Sequence, residues 1–232
     1  MIRTIILRPI FLAAAALALA ACSTFSGSSS TATGPELTVE RAAKTLQVFA
    51  ADPDLGYVRA NMDKAKALVI APQIVKAGFI WGGSGGNAVL LVRDQVTGEW
   101  GQPAFYSIGS VTFGLQAGAE VSEAVMMVMT TRGVDSLLRS SVKFGGDVSV
   151  AAGPVGAGAK AQTADVLAFT RAKGLYGGIN LEGAVVKPRN DRNKKYYDAR
   201  ITPNDVIGRK SVSNPHANVL IDAVETLERE SR

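Results

Sequence analysis

The central region from Ala67 to Val186 limits the fold most strongly, because it consists of short apolar runs separated by glycine-rich or polar turns. Long helical patterns occur only on either side of it, at Leu37–Ala51 and from Asp52 onward before it, and at Ser213–Arg229 after it. Because the strands do not alternate with long helices, a parallel sheet with helical crossovers is disfavoured. The sequence predicts an α+β fold with N-terminal helices, a curled, barrel-like antiparallel sheet built of hairpins, and a C-terminal helix.

Each long helical pattern has one apolar face, which we expect to pack on the rest of the domain. The second pattern begins with Asp52 and Pro53, a capping residue followed by a proline where helices tolerate one. The predicted buried faces are Val39, Ala42, Ala43, Leu46 and Phe49 in the first helix, Leu55, Val58, Met62 and Ala65 in the second, and Val219, Leu220, Ala223, Val224 and Leu227 in the last.

The strands are predicted from apolar runs that are bounded by turn residues. We expect the glycine run Gly82–Gly86 to form a turn and Asp94–Gly98 to close a hairpin. Two more hairpins are expected, one around Gln116–Ala119 and one around Ala172–Gly174. The predicted strands are Ala67–Ile70, Gly78–Trp81, Asn87–Arg93, Ala104–Leu115, Glu120–Thr130, Ala164–Arg171 and Leu175–Val186, with short strands in Gly145–Lys160 and short helices at Gly133–Ser140 and Asn190–Tyr197.

The first 21 residues have the pattern of an export signal, with Arg3 and Arg8 ahead of an uncharged apolar run. That run is too short to span a bilayer comfortably. It ends in LAAC, with Cys22 last, which resembles the bacterial lipobox, whose cysteine is acylated after cleavage. We therefore expect a signal peptide over 1–21, a lipidated flexible tether over 22–35 and a single domain over 36–232. The alternative is an ordinary secretory signal with an incidental cysteine.

A lipidated Cys22 predicts attachment to the bacterial outer membrane, because the next residue is Ser23 and not the aspartate of inner-membrane retention. We expect the domain to face the periplasm, with exposure at the cell surface as the alternative. Removal of Arg3 and Arg8 leaves 23 basic against 20 acidic residues. This weak excess permits attraction to anionic lipid but does not indicate nucleic acid as a partner.

Few residues suited to catalysis are present. The only cysteine is Cys22 and the only histidine is His216, which we expect to be structural, so no metal site, cofactor or nucleophile–histidine pair is predicted. The glycine run at 153–160 lacks the lysine and hydroxyl spacing of a phosphate loop. Paired carboxylates are the remaining route to an enzyme. The two candidate pairs are Glu120 with Glu123 and Asp165 with Glu182.

Two clusters of basic residues are the candidate binding residues. Positive side chains attract anionic head groups, and a basic amphipathic helix beside a lipid anchor suits a membrane surface. The alternatives are that these helices pack on their own domain and that the second cluster is a solvated loop. A shared face would favour the lipid interpretation. The candidate lipid-binding residues are Arg41, Lys44, Arg59, Lys64 and Lys66 in the N-terminal helices and Lys187, Arg189, Arg192, Lys194 and Lys195 in the second cluster.

A series of short motifs runs in order from about Ala65 to Gly208. They read KALVI at 66–70, VKAGF at 75–79, VR at 92–93, GEWGQP at 98–103, FGLQAGAE at 113–120, AAGPVG at 151–156, KGLYGG at 173–178, LEG at 181–183, NKKYY at 193–197 and IG at 207–208. In this order they resemble the SYLF family, the lipid-binding domain of eukaryotic endocytic and actin-patch proteins, which also has bacterial lipoprotein members.

The resemblance implies non-enzymatic binding of phospholipid, phosphoinositides in the eukaryotic members, through an N-terminal basic amphipathic helix that corresponds to Thr38–Lys66 here. In a bacterial envelope it implies phosphatidylglycerol, cardiolipin or phosphatidate as the ligand, with no actin partner. The alternative is a structural or interaction lipoprotein that binds an envelope protein or peptidoglycan, and an enzyme is the third possibility.

Overall fold

The computed structural model describes residues 34–52, 56–78, 81–113, 118–152, 163–172 and 181–230. The predictions for the export signal, for Cys22 and for the tether as far as residue 33 lie outside the described residues. So do those for Leu55, for the whole 153–160 glycine run and for residues 114–117 and 173–180. Pro35, the last residue of the predicted tether, is already the first residue of a helix. From Gly34 onward the chain forms one compact unit.

Helices stand at both ends of this unit and strands lie between them, as the sequence predicts. Two 3-10 turns, Met62–Lys64 and Pro215–Ala217, accompany the helices. In chain order the elements are α1 (Pro35–Ala51), α2 (Gly56–Ala60), β1 (Ala67–Gly78), β2 (Trp81–Val92), β3 (Ala104–Phe113), β4 (Gly118–Val128), α3 (Thr131–Leu137), β5 (Val142–Lys143), β6 (Val150–Ala152), β7 (Val166–Ala172), β8 (Val185–Pro188), α4 (Asn190–Tyr197), α5 (Pro203–Ile207) and α6 (Asn218–Arg229).

The strands form one sheet in the order β5-β8-β3-β2-β1-β4-β7-β6, antiparallel except for the β6–β7 pair. This confirms the predicted α+β class. The predicted hairpin of β3 with β4 is wrong, because β3 pairs with β2 and β8 while β4 pairs with β1 and β7. The predicted hairpin of β7 with β8 is also wrong, since β3, β2, β1 and β4 separate them in the sheet. An apolar pattern identifies a strand but not its partner, which depends on long-range packing.

The two edges of the sheet approach each other. β5 pairs with β8 at one edge and β6 pairs with β7 at the other, and only residues 144–149 join β5 to β6. Six residues reach at most about 20 Å. The sheet is therefore curled, as predicted.

Both faces of the sheet are buried along much of their length. Alternate residues of β1 belong to two clusters: Leu68 and Ile70 pack under α1, α4 and α6, whereas Ala67 and Val69 pack inside the curl. We call these the helix face and the inner face. Burial on both faces explains why the strands read as continuous apolar runs.

Most residues predicted to form the buried faces of the long helices are buried. All five predicted residues of α1 are at most 3% exposed. In α6, Leu220, Val224 and Leu227 are buried, but Val219 is 45% exposed and does not belong to the buried face. The second predicted helix is α2 followed by a 3-10 turn, and it still buries Val58, Met62 and Ala65.

β1 continues to Gly78 although the sequence predicts a strand that ends at Ile70, because a bulge between Ile70 and Gln73 interrupts the apolar pattern without ending the strand. Of the predicted strand Gly78–Trp81, Gly78 is the last residue of β1 and Trp81 is the first of β2. The predicted turn at Gly82–Gly86 is also wrong, since the run lies inside β2. The glycines are needed there for another reason. A Cβ on Gly86 would lie 2.2 Å from the Gln73 carbonyl oxygen, so the bulge demands glycine at this position.

The predicted turn at Asp94–Gly98 is confirmed. The Gly98 N–H donates to the Asp94 carbonyl oxygen over 2.9 Å. The Asp94 carboxylate accepts from the N–H groups of Val96 and Thr97. Gly98 has a φ of 78°, a left-handed conformation that favours glycine.

Candidate functional site

A row of polar residues crosses the helix face where its buried part ends. It lies next to the β1 bulge, and its members are neighbours in the strand register. We call this set the polar row: Arg171 on β7, Glu123 on β4, Gln73 on β1, Asn87 on β2, Ser107 on β3 and Lys187 on β8.

Two arginines from distant parts of the chain converge on this row. Arg41 of α1 donates to Gln73 Oε1 over 3.2 Å, and Arg189, between β8 and α4, donates to Asn87 Oδ1 over 3.5 Å. Gln73 and Asn87 are register partners on β1 and β2. Members of the two predicted basic clusters therefore share one face of the domain.

A groove of about 510 Å³ separates α1 from the polar row. Arg41, Lys44 and Arg171 contribute three positive charges to its lining, and Glu123 contributes the negative one. Glu123 accepts a hydrogen bond from Thr45 over 3.2 Å and lies 3.8 Å from Arg171. The groove therefore offers cationic groups to an anion. Its other lining residues include the apolar side chains of Val48, Pro72 and Val121.

The cations along this face form the basic rim, defined as Arg41, Lys44, Arg171, Lys187 and Arg189. Arg189 pairs with Asp191 over 2.7 Å. Its hydrogen bond lowers the pKa of the Asp191 carboxyl to about 2, and the same bond raises the pKa of Arg189. Both groups are therefore fully charged near neutral pH.

The other residues of the second cluster have different surroundings. Arg192 is buried and donates to Thr38 Oγ1 over 3.0 Å, which fastens α4 to α1. Burial lowers the pKa of Arg192, and the neighbouring charge of Arg189 lowers it further. Lys194 and Lys195 are exposed on α4.

Three predicted cations of the N-terminal helices lie away from the rim. Arg59 donates to the carbonyl oxygens of Ala50 and Asp52 at the end of α1, so its role is structural. Lys64 donates to Asn61, and Lys66 to Gln95. Lys66 stands before the first residue of β1, about 20 Å along the strand from the polar row.

The first predicted carboxylate pair is split between the two faces of the sheet, and in the second pair Asp165 is held by other side chains. Glu120 and Glu123 are three residues apart on β4 and point to opposite faces of the sheet. They lie opposite Lys76 and Arg171 in the register. Glu182 lies in the turn before β8, beside Gly145.

Asp165 is bonded to other side chains. It accepts hydrogen bonds from Arg132, from Thr130 over 2.6 Å and from the Ser149 hydroxyl over 2.7 Å. Burial alone would raise the pKa of the Asp165 carboxyl, but these bonds outweigh it and hold that pKa well below its usual range. This carboxylate joins the β6 and β7 edge to α3.

His216 links three elements, since its ring lies 3.2 Å from both the Tyr196 hydroxyl and Glu40 Oε1. Within the ranges that the structure describes, no three His, Cys, Asp or Glu residues are close enough together to hold a metal ion. No helix in those ranges is long and apolar enough to cross a membrane.

Sequence reasoning missed Arg171. Its alternation with the buried Leu167 and Phe169 places it on the helix face, which is a readable signal. Its place beside α1 depends on the pairing of β7 with β4, which the sequence pattern does not reveal.

Comparison with known proteins gives a consistent result. The sequence profile of Ysc84, described as "Las17-binding protein actin regulator", matches residues 109–227, just over half of the chain. Among curated relatives, LAS seventeen-binding protein 3 of Saccharomyces cerevisiae is 30% identical over 195 residues, which cover 79% of this chain and 41% of the relative.

Two other relatives are equally similar. Protein YSC84 of Saccharomyces cerevisiae is 30% identical over 203 residues, which cover 81% of this chain and 42% of the relative. SH3 domain-containing YSC84-like protein 1 of Bos taurus is 30% identical over 179 residues, which cover 72% of this chain and 52% of the relative. The chain thus spans about half the length of these relatives or less. No solved structure matches it.

Proposed function

We propose, from the premise that this chain belongs to the Ysc84 family, whose shared unit is the SYLF domain, that its folded domain binds anionic phospholipid without catalysing a reaction. Membership supports, at the level of the family, a role at membranes or with actin regulators. Lipid binding is the finer part of the proposal and has its own support in the geometry of this chain.

The convergence of Arg41 and Arg189 on one register pair carries the proposal. It joins the N-terminal helix and the second basic cluster into one cationic face. The rim has five cations, and its paired acids are Glu123 and Asp191. The excess of positive charge matches the negative head groups of phosphatidylglycerol, cardiolipin or phosphatidate.

The expected affinity is modest. Each Lys or Arg near an anionic surface contributes about 1 kcal/mol, and salt screens that contribution. A domain that is already held at the membrane gains from a high local concentration of lipid. Weak binding by the rim would therefore be sufficient in such a setting.

The proposal includes acylation of Cys22 and attachment to the outer membrane with the domain facing the periplasm. The lipobox-like ending of the export signal supports it. Two or more acyl chains give stable attachment, whereas one chain gives only marginal binding. Lipid binding by the domain would then orient it on the bilayer or recruit a particular lipid, because attachment is already secured.

Vesicle sedimentation tests the proposal with residues 22–232 carrying Cys22→Ser. We expect binding to vesicles of phosphatidylcholine mixed with phosphatidylglycerol and little binding to phosphatidylcholine alone. At low salt the double variant Arg41→Gln with Lys44→Gln should bind about thirtyfold more weakly, because two surface cations are lost and each contributes about 1 kcal/mol.

The matched control is Lys64→Gln with Arg139→Gln, which removes the same charge from exposed residues outside the rim. It should bind like the parent chain. Equal binding to neutral and anionic vesicles, or equal loss in both double variants, would contradict a specific cationic face.

A protein partner is the second candidate function. A groove of about 540 Å³ between α1 and α6 is lined partly by Ala50, Ala223 and the exposed Val219. The names of the relatives also describe protein binding, of Las17 in their case. A photo-crosslinker at position 219 in intact cells should trap one protein if this candidate is correct.

A further inference from the structure

The helix face of the sheet continues beyond the polar row as two further rows of residues, none of them charged. The first row, two residues along each strand, is Val121, Val75, Gly85, Gly109 and Val185. The second row is Ala119, Ala77, Gly83 and Val111. We call these two rows the apolar platform.

The platform is open to solvent. Val75, Val121 and Val185 are 42–44% exposed, and Val111 is 82% exposed. On the same face, the buried core beneath α1 ends at the polar row. The face therefore changes along the strands from apolar and covered, to polar, to apolar and uncovered.

The opposite side of the same strands is polar. Lys76, Ser84, Ser110 and Glu120 are register neighbours that face away from the platform. The Ser84 and Ser110 hydroxyls lie 2.8 Å apart. A sheet with one wet face normally turns its polar residues toward water. At this end of the sheet water reaches both sides of the strands, but only the side opposite the platform carries polar residues.

Internal packing does not account for all the platform glycines. A Cβ on Gly85 would lie 4.0 Å from its nearest neighbour and one on Gly83 would lie 3.7 Å away, both ordinary contacts. Glycine weakens a strand, and it often marks a place where another molecule approaches the backbone closely. Because these glycines carry no side chain, another molecule can approach the backbone of the platform closely.

Cations border the platform. The basic rim lies on the side of the polar row, and Lys143 of β5 is opposite Val185 in the register, at the end of the first row. Consecutive rows are spaced by about 7 Å along the strands, so the platform extends from about 7 to 13 Å beyond the rim. An uncharged surface beside cations at this spacing complements a bilayer, whose anionic phosphates lie next to its apolar interior.

We propose that the apolar platform is the surface with which the domain enters the interfacial layer of an anionic phospholipid bilayer, while the basic rim contacts the phosphates. The sheet is tilted so that Lys76 and Glu120 stay in water. Interfacial segments typically bury an apolar face about 5–10 Å deep, which the platform can reach. This inference rests on the proposed function and names the part of the domain that meets the membrane.

The single cysteine of the chain makes a direct test possible. In residues 22–232 with Cys22→Ser, Val111→Cys is labelled with an environment-sensitive fluorophore. Its matched control is Val96→Cys, also highly exposed, at 95%, but in the Asp94–Gly98 turn at the other end of β2. Vesicles of phosphatidylcholine with phosphatidylglycerol should shift the emission at position 111 to the blue, and quenchers on the acyl chains should quench it. The probe at position 96 should respond to neither.

Val111→Asp provides an independent measurement. We expect its vesicle binding to fall at least about tenfold, because a valine can no longer be buried. Val96→Asp should bind normally. Both residues are exposed, so an unchanged unfolding midpoint would show that each variant folds.

The outcomes separate the two proposals. If the parent chain binds no vesicle, both fail. A second outcome is that the parent chain binds vesicles, that rim variants weaken this binding, and that the probe at position 111 still reports water. In that case the proposed function stands, but the platform is overturned as the contact surface. If Val111→Asp changes only the sedimentation coefficient of the free protein, the platform is a contact between two copies of this chain and the inference is overturned.

Discussion

At the scale of single residues, the β1 bulge determines what can occupy position 86. The Gln73 carbonyl oxygen lies where a Gly86 side chain would begin, whereas the neighbouring Gly85 has room for a methyl group. We expect Gly86→Ala to destabilise the domain by about 1–3 kcal/mol, because overpacking forces the backbone to move. Gly85→Ala is the control and should be neutral or stabilising by up to about 1 kcal/mol. Denaturant unfolding of both variants checks this difference, and equal midpoints would contradict it.

The Asp165 carboxyl links stability to pH. Its pKa is held below the ordinary value, so its contribution is complete above about pH 4 and is lost as the pH falls toward the folded-state pKa. Asp165→Asn should lose about 1–3 kcal/mol at neutral pH, because charge-assisted hydrogen bonds are removed. Its stability should then decline less than that of the parent chain during acidification. Unfolding free energies measured from neutral to acidic pH test this, and parallel curves would be inconsistent with it.

At the scale of elements, one carboxylate fastens the C-terminal helix to the sheet. Glu228 of α6 is an ion-pair partner of Arg93 and accepts a hydrogen bond from Trp100 Nε1 over 3.1 Å. The Arg93 guanidinium also lies 5.7 Å from the Trp100 ring centre. Because these groups are mostly buried, the contact links α6 to the segment that follows β2.

Removal of one member of this ion pair should be costly. Glu228→Gln leaves Arg93, which is 14% exposed, without its charge partner, and such losses are about 3–5 kcal/mol for buried pairs. Asp222→Asn removes a charge from the exposed side of the same helix and should change stability little. Thermal unfolding distinguishes the two. A similar small effect in both variants would show that the pair contributes nothing to α6 docking.

The helices and strands differ in how far the sequence determines them. The period of α1 identifies its buried face, because all five residues lie on one side of a single helix. The strands from Ala67 to Val92 show the opposite case. Their residues predict three short strands and a turn, but the sheet contains two long strands here, a bulged β1 and a β2 that includes the glycine-rich run Gly82–Gly86. A bulge and a glycine-rich strand depend on neighbouring strands, which local patterns do not encode.

At the scale of the whole molecule, lipidation is the prediction that decides how the domain is used. We expect metabolic labelling with an alkyne fatty acid to mark the chain in bacterial cells and Cys22→Ser to abolish the label. Ser23→Ala, next to it, should keep the label. A labelled Cys22→Ser variant would show that acylation, if any, occurs elsewhere.

The salt dependence of vesicle binding should distinguish the contribution of the basic rim from that of the apolar platform. Raising the ionic strength weakens the contribution of the basic rim, because exposed charges are screened, but leaves apolar burial intact. We therefore expect Arg41→Gln with Lys44→Gln to lower the salt dependence of vesicle binding, and Val111→Asp to lower affinity at every salt concentration. Identical salt dependence in all three proteins would argue against this division of roles.

The sequence by itself determined the α+β class, the buried face of α1 and most of that of α6, the turn at Asp94–Gly98, the helix at Asn190–Tyr197 and the SYLF resemblance. These features depend on local periodicity, capping and turn chemistry or on motifs in order. Only the tertiary structure decided that β3 and β4 flank the β1–β2 hairpin, that Arg41 and Arg189 donate to the register partners Gln73 and Asn87, and that exposed valines of four strands share one face. The physical reason is that strand periodicity assigns a residue to one side of its own strand. Strand order and register, set by long-range packing, decide which residues stand beside it.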